Sequence, residues 1–231
     1  MEKSFMITEI KRLKEEKNAI ILAHFFQDGD IQDIADYVGD SLYLSKIASK
    51  SNADIIVFSG VHFMAETAKI LSPDKKVLLA VEGAGCPMTD MITAVRLQKY
   101  KEKNPDSVIV SYLKSTAQIK AMSDVCITIS NAEKIVKAYG DKTLLFVPDQ
   151  NIGNYINDKY NLDMVVWPGA CHVHKRFSVD RIVQLKKEHP EAFARFKSDR
   201  REKDDIAWYN ADKTKLMGKW SPTLVSMYLA N

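Results

Sequence analysis

Long apolar runs are missing from this 231-residue chain: none approaches the roughly 18 residues of a membrane span, and the N-terminus has no signal-peptide core. Neither a membrane anchor nor export is expected, and the cytoplasm is the compartment favoured. An excess of one charge sign is missing too. With 33 Lys and Arg against 30 Asp and Glu the net charge is +3, and the basic residues are dispersed along helix faces, so nucleic acid and membrane surfaces both drop out as partners. Cysteine is scarce. Three thiols, an odd number in a reduced compartment, argue against disulfides and leave buried thiols, metal ligation or reactivity. Two common loops are also absent. Gly83-Ala84-Gly85 has no third glycine and runs into Cys86-Pro87 rather than a helix, so it is no dinucleotide fingerprint. The acidic run from Gln27 to Asp36 lacks the closing glutamate of a calcium loop, and Asp28-Gly29-Asp30 reads as a turn and helix cap.

What is present is an internal repeat. Residues 5–18, 91–105 and 177–190 each read as an amphipathic helix with a polar stop, and the first two lead into short apolar runs, Ala19 to His24 and Ser107 to Tyr112. Short β-branched runs bounded by turn residues are buried strands. Both units continue with a helix opening at Asp40-Ser41 or Ser130-Asn131, a strand from Asp54 or Thr143, a further helix, and a last strand from Lys76 or Leu162. Each then finishes on a cysteine preceded by Gly and Ala, Cys86 or Cys171, a period of 85 residues (171 − 86). Alternating strands and helices imply an α/β chain with parallel sheets, since parallel pairing needs a crossover that a helix supplies. The expected organisation is a first α/β repeat over 1–86, a second over 87–171, and a truncated or divergent third over 172–231, where the charged stretch after Ala192 shows no strand pattern.

In parallel sheets the ligand crevice lies beyond the carboxyl ends of the strands. His24, Tyr112, Cys86 and Cys171 all sit just past strand ends and are candidates for one shared site. Cys126, inside a strand-like run, is expected to be a small core residue. Cys171-His172-Val173-His174 places three potential metal ligands within four residues, which with Cys86 would make a zinc site. Single cysteines delivered from repeated units suit instead a four-iron cluster held between units, with one iron left open. Ser41 and Ser130 open helices, where capping and anion binding both suit a serine.

The stretches His24-Phe25-Phe26-Gln27, Ile34 to Leu42, Phe58 to Ala68, Glu82 to Met88, Ser123 to Cys126 and Pro168 to His174 together resemble quinolinate synthase, the NadA family, over about residues 1–192. The resemblance implies three α/β/α sandwich units in pseudo-threefold arrangement around a [4Fe-4S] cluster held by one cysteine per unit. It also implies a transferase that condenses iminoaspartate with dihydroxyacetone phosphate, losing two waters and phosphate, to give quinolinate for NAD biosynthesis, with L-aspartate oxidase as functional partner. Carried onto this chain, Cys86 and Cys171 are cluster ligands, His24 and Tyr112 catalytic and substrate-contacting, and Ser41, Lys114, His172 and His174 substrate-binding. Three positions depart from the pattern: Phe26 replaces a tyrosine, Lys114 an asparagine and Ile129 a serine. Each lost or unsatisfied hydrogen bond is expected to weaken substrate binding by about 1 to 3 kcal/mol. The family's later His-Pro-Glu-Cys, phosphate loop and third cluster cysteine do not appear after Ala192, so impaired activity is expected, residues 198–205 are read as a solvated run, and two other identities stay open: an inactive remnant or binding protein, and a zinc-binding protein.

Overall fold

The computed structural model describes residues 2–172, 175, 179–188, 206–209 and 216–220. The chain forms two compact units, residues 1–171 and 172–231. The first unit opens with α1 (Lys3–Glu16), β1 (Ala19–His24), α2 (Gly29–Ile34), β2 (Tyr37–Gly39), α3 (Ser41–Lys50), β3 (Ile55–Ser59), α4 (His62–Leu71) and β4 (Lys76–Leu79). It continues with α5 (Pro87–Asp90), α6 (Ala94–Lys103), β5 (Val108–Tyr112), α7 (Ala117–Ala121), β6 (Val125–Ile127), a 3-10 turn at Ile129–Asn131, α8 (Ala132–Ala138), β7 (Leu144–Val147), α9 (Gln150–Tyr160) and β8 (Val165–Val166).

These strands make two four-stranded sheets with the same topology, β2-β1-β3-β4 and β6-β5-β7-β8, parallel throughout. The correspondence extends to single bonds. Asp36 Oδ2 accepts the Ile21 N–H at 2.7 Å, and fifteen residues likewise separate Asp124 Oδ2 from the Ile109 N–H it accepts at 2.7 Å. His24 pairs with Gly39 and Tyr112 with Ile127 at the matching strand ends.

Each sheet carries its own core. Leu22, Ile56 and Phe58 pack with Leu44, Ala48, Phe63 and Met64 from the crossover helices of the first sheet. Ile109, Leu145 and Val147 pack with Leu97, Ile119 and Trp167 in the second. Full burial of such a side chain contributes about 1.5–3 kcal/mol, so the apolar runs that mark the strands also hold the crossovers down. On α9, Gly153 permits close docking: an added Cβ would lie 2.6 Å from Val166 Cγ1 and 2.9 Å from Phe146 Cδ1.

Several sequence expectations change here. β2 and β6, three residues each, are further edge strands, with only β6 foreshadowed. Cys126 is exposed rather than a core residue, because it lies on edge strand β6 with Sγ 3.0 Å from Ser111 Oγ. The helix caps are not the serines: Asp40 accepts the N–H groups of Leu42 and Tyr43, and Thr128 forms a capping box with Asn131. Asp28 stands at the start of α2 without a side-chain capping bond, and Asp30 instead pairs with Lys3 at 2.5 Å.

In the second unit, α10 (Val179–Glu188) matches the third amphipathic helix, and β9 (Ile206–Tyr209) pairs antiparallel with β10 (Leu216–Trp220), unlike either sheet of the first unit. The charged run 198–205 lies outside the described residues. No described helix is long and apolar enough to cross a membrane.

Candidate functional site

His24 closes β1, where the apolar run that builds the strand ends. It is 1% exposed, and its ring stacks against Phe26 at 3.5 Å between centroids and Phe25 at 4.3 Å. The Phe26 N–H donates to His24 Nδ1 at 3.3 Å, so the ring proton sits on Nε2. Burial, then the positive charge of Lys114, lowers the His24 pKa to about 3. The imidazole is therefore neutral near pH 7 and presents an N–H donor.

Tyr112 occupies the equivalent end of β5 and is buried. Burial, then the carboxylates of Asp149 and Asp40, raises its pKa well above that of a free phenol, so the hydroxyl keeps its proton. Two residues on, Lys114 is half-buried with Nζ 5.9 Å from the centre of the Tyr112 ring. Burial disfavours its ammonium form, and the charges of Asp149, Cys86, Cys171 and Asp40 oppose that effect in this order. A single side chain thus senses an acid and a thiol from each of the two repeats.

Both thiols are half-buried and unpaired. Cys86 follows a turn with Gly83 at φ +79°, a conformation glycine adopts without strain, and its carbonyl accepts from Thr89 at the start of α5. Cys171 follows Gly169, which bridges to Asp149 in parallel register; an added Cβ there would lie 2.3 Å from the Pro148 carbonyl oxygen. Among the described residues no group of three or more His, Cys, Asp or Glu could hold a metal ion.

Ser41 is buried at the first turn of α3. Asp40 already satisfies two of that helix's free N–H groups and brings a negative charge, which weakens the anion site expected from Ser41. Ser130 is exposed and bonds Thr128 Oγ1 at 2.9 Å. His172 is an exposed turn residue of the second unit, and His174 lies outside the described residues.

Sequence reasoning passed over Asp149. It is 1% exposed; Oδ1 caps α9 by accepting the Asn151 N–H at 2.9 Å, while Oδ2 has no hydrogen-bond partner. Burial raises its pKa, against the backbone N–H bonds of Asn151 and Ile152 and the charge of Lys114. A Pro-Asp pair after a strand is an ordinary cap signal, and only the unused oxygen marks it out. Chemically, the crevice offers two neutral donors, His24 Nε2–H and the Tyr112 hydroxyl, beside one amine and one carboxyl group.

Residues 8–199 match the family model described as quinolinate synthetase A protein. The chain is 51% identical over 192 residues to quinolinate synthase 2 of Methanosarcina acetivorans, covering 83% of this chain and 62% of that one. It is 54% identical over 184 residues to the quinolinate synthase of Trichodesmium erythraeum, covering 79% of this chain and 57% of the relative. With the quinolinate synthase of Nostoc punctiforme it shares 52% over 190 residues, 82% and 59% of the two chains. The chain spans about three fifths of the length of these curated relatives.

Proposed function

Because the chain belongs to the family of quinolinate synthetase A proteins, we propose that it takes part in quinolinate formation, joining iminoaspartate to dihydroxyacetone phosphate with loss of two waters and phosphate. What supports this reading is that Lys114, two residues past the end of β5, feels the charges of Asp149, Cys86, Cys171 and Asp40 and acts on His24 at the equivalent end of β1, with its Nζ 5.9 Å from the Tyr112 ring centre. His24 and Tyr112 act as neutral hydrogen-bond donors that polarise a substrate carbonyl, a role that preorganised donors fill in low-dielectric sites. The pKa near 3 argues against an imidazolium acid at His24. Ser41 and Lys114 contact the acidic substrate groups, and His172 and His174 are assigned to substrate as well.

A [4Fe-4S] cluster belongs to this reading, with Cys86 and Cys171 as two of its ligands. A cube held by three thiolates needs one more than these two supply. The third thiol of the chain, Cys126, is exposed on β6 and bonded to Ser111, and the described donors do not complete the set. The described residues therefore do not by themselves fit the cluster, and the roles above rest on the chain's own groups. A cytoplasmic, reducing setting, in which all three thiols stay free, and L-aspartate oxidase as the source of the imine complete the proposal.

The test is quinolinate formation by the chain after anaerobic treatment with iron and sulfide. Product that falls by about 10² or more in His24→Gln and Tyr112→Phe supports the reading. A folded, treated chain that makes no quinolinate from both substrates overturns it.

A further inference from the structure

The loop that carries Lys114, residues 113–116, leaves the second sheet at β5 and is held at its start by that sheet. The Leu113 N–H donates to the Ile127 carbonyl at 2.8 Å, and the fully buried Ser115 hydroxyl to the Tyr112 carbonyl at 2.8 Å. Its far end is held from outside. The loop runs into α7, a helix of five residues, and the Ala117 N–H at its first position has no acceptor within the helix. The acceptor is Glu66 Oε2, 2.7 Å away on α4 of the first repeat. A carboxylate placed there also meets the positive end of the helix.

We propose that Glu66 is a positioning residue for the crevice: by holding the start of α7 it sets where Lys114 stands, beyond the end of β5, to meet an acidic group of the substrate. The substrate half of this statement rests on the quinolinate reading, and the positioning half does not.

The surrounding contacts support each step. α4 is a firm base, since Phe63, Met64 and Ala65 are buried in the core of the first sheet, whereas α7 sends Ile119 into the core of the second. Lys120 Nζ returns a bond from α7 to Thr67 Oγ1 at 2.6 Å, beside Glu66 on α4. The Glu66 side chain is only 23% exposed and also lies 3.4 Å from His62 Nδ1, so it is engaged within the fold and acts through the loop. A helix as short as α7 is marginal without tertiary support. Loss of the Glu66 oxygen therefore frees its first turn, and Lys114 is three residues upstream.

Lysine acetylation tests this on the full chain. Parent and variants that match in circular dichroism are treated with trace acetic anhydride, and the rate at each lysine is read by peptide mass mapping. Half-buried Lys114 is expected to react about tenfold or more faster in Glu66→Ala than in the parent. Lys75, half-buried at the end of α3 with Nζ bonded to the Ala48 carbonyl at 2.7 Å, keeps its rate. Glu66→Gln, which still offers an oxygen to the Ala117 N–H, stays within about threefold of the parent. Ala117→Pro deletes the N–H from the other side, at a helix position that accepts proline, and is expected to match Glu66→Ala. An unchanged Lys114 rate in either folded variant overturns the proposal, and so does a joint rise at Lys114 and Lys75, the mark of a chain loosened throughout. In a chain that forms quinolinate, Glu66→Ala should raise KM for dihydroxyacetone phosphate about tenfold and add nothing to Lys114→Met; a full added effect overturns the route through Lys114. A chain that forms no quinolinate fails the earlier proposal alone, and the acetylation rates still decide whether Glu66 places Lys114.

Discussion

At the scale of single residues, His24 ties stability to pH. Its folded pKa is about 3, against roughly 6.5 for an unfolded histidine, so between those values the unfolded chain binds more protons. Stability from neutral His24 is present above pH 6.5 and is lost as pH falls toward 3, at up to about 1.4 kcal/mol per pH unit. Asp149 works the other way: its raised pKa gives stability at low pH that is lost as pH rises through the folded value. Comparison with His24→Gln isolates the histidine. Urea unfolding at pH 5, 6 and 7 should show stability rising with pH more steeply in the parent than in the variant, by about 1 kcal/mol per unit below pH 6.5, and equal slopes would remove the linkage. His24 and Tyr112 were legible as strand-end residues because β-branched runs end on them. Asp149 was not, since the sequence shows its capping oxygen and only the fold shows the unused one. Cys126 misled for a related reason: a three-residue strand at a sheet edge does not bury every apolar-looking position.

Between elements, the repeat makes a prediction in duplicate. Asp36 and Asp124 each fasten the approach to an edge strand onto the neighbouring central strand, through a side-chain bond to Ile21 or Ile109 and a return bond from their own N–H. Asp36→Ala and Asp124→Ala should each cost about 1–2 kcal/mol in urea melts, and the double variant their sum, because the sheets hold separate cores. Asp36 also pairs with Lys14 at 2.6 Å, a partly exposed contact that adds little. Strands β1, β3, β5 and β7 were legible nearly residue for residue. β2 was not, because Tyr37–Gly39 follows a turn-rich acidic run and its pairing depends on Asp36, a tertiary contact no periodicity carries. For Ser41 and Ser130 the sequence suited capping and anion binding alike, and the caps fall instead to Asp40 and Thr128, one and two positions earlier and equally good cap residues.

For the first unit as a whole, the question is whether its two sheets act as one body. Glu66 on α4 accepts the Ala117 N–H that opens α7 at 2.7 Å, and Lys120 on α7 donates to Thr67 on α4 at 2.6 Å, so the repeats are linked by reciprocal bonds. Removing the Glu66 carboxylate leaves an N–H and a nearby lysine uncompensated, and Glu66→Ala should cost about 1–3 kcal/mol in a urea melt. That linkage is what allows cysteines 85 residues apart (171 − 86) to fall within the field of one lysine. The repeated Gly-Ala-Cys endings made the equivalent placement of the two thiols after a last strand legible in sequence, whereas Lys114, which feels both, was visible only as a departure from a family pattern. If the two sulfurs hold one centre, they should fail together. Cys86→Ser and Cys171→Ser should each abolish the iron and sulfide that anaerobic reconstitution builds into the chain, and the double variant should lose no more than either. Halved loading in each single variant, with losses that add, would mean two independent iron sites and would separate the sulfurs again.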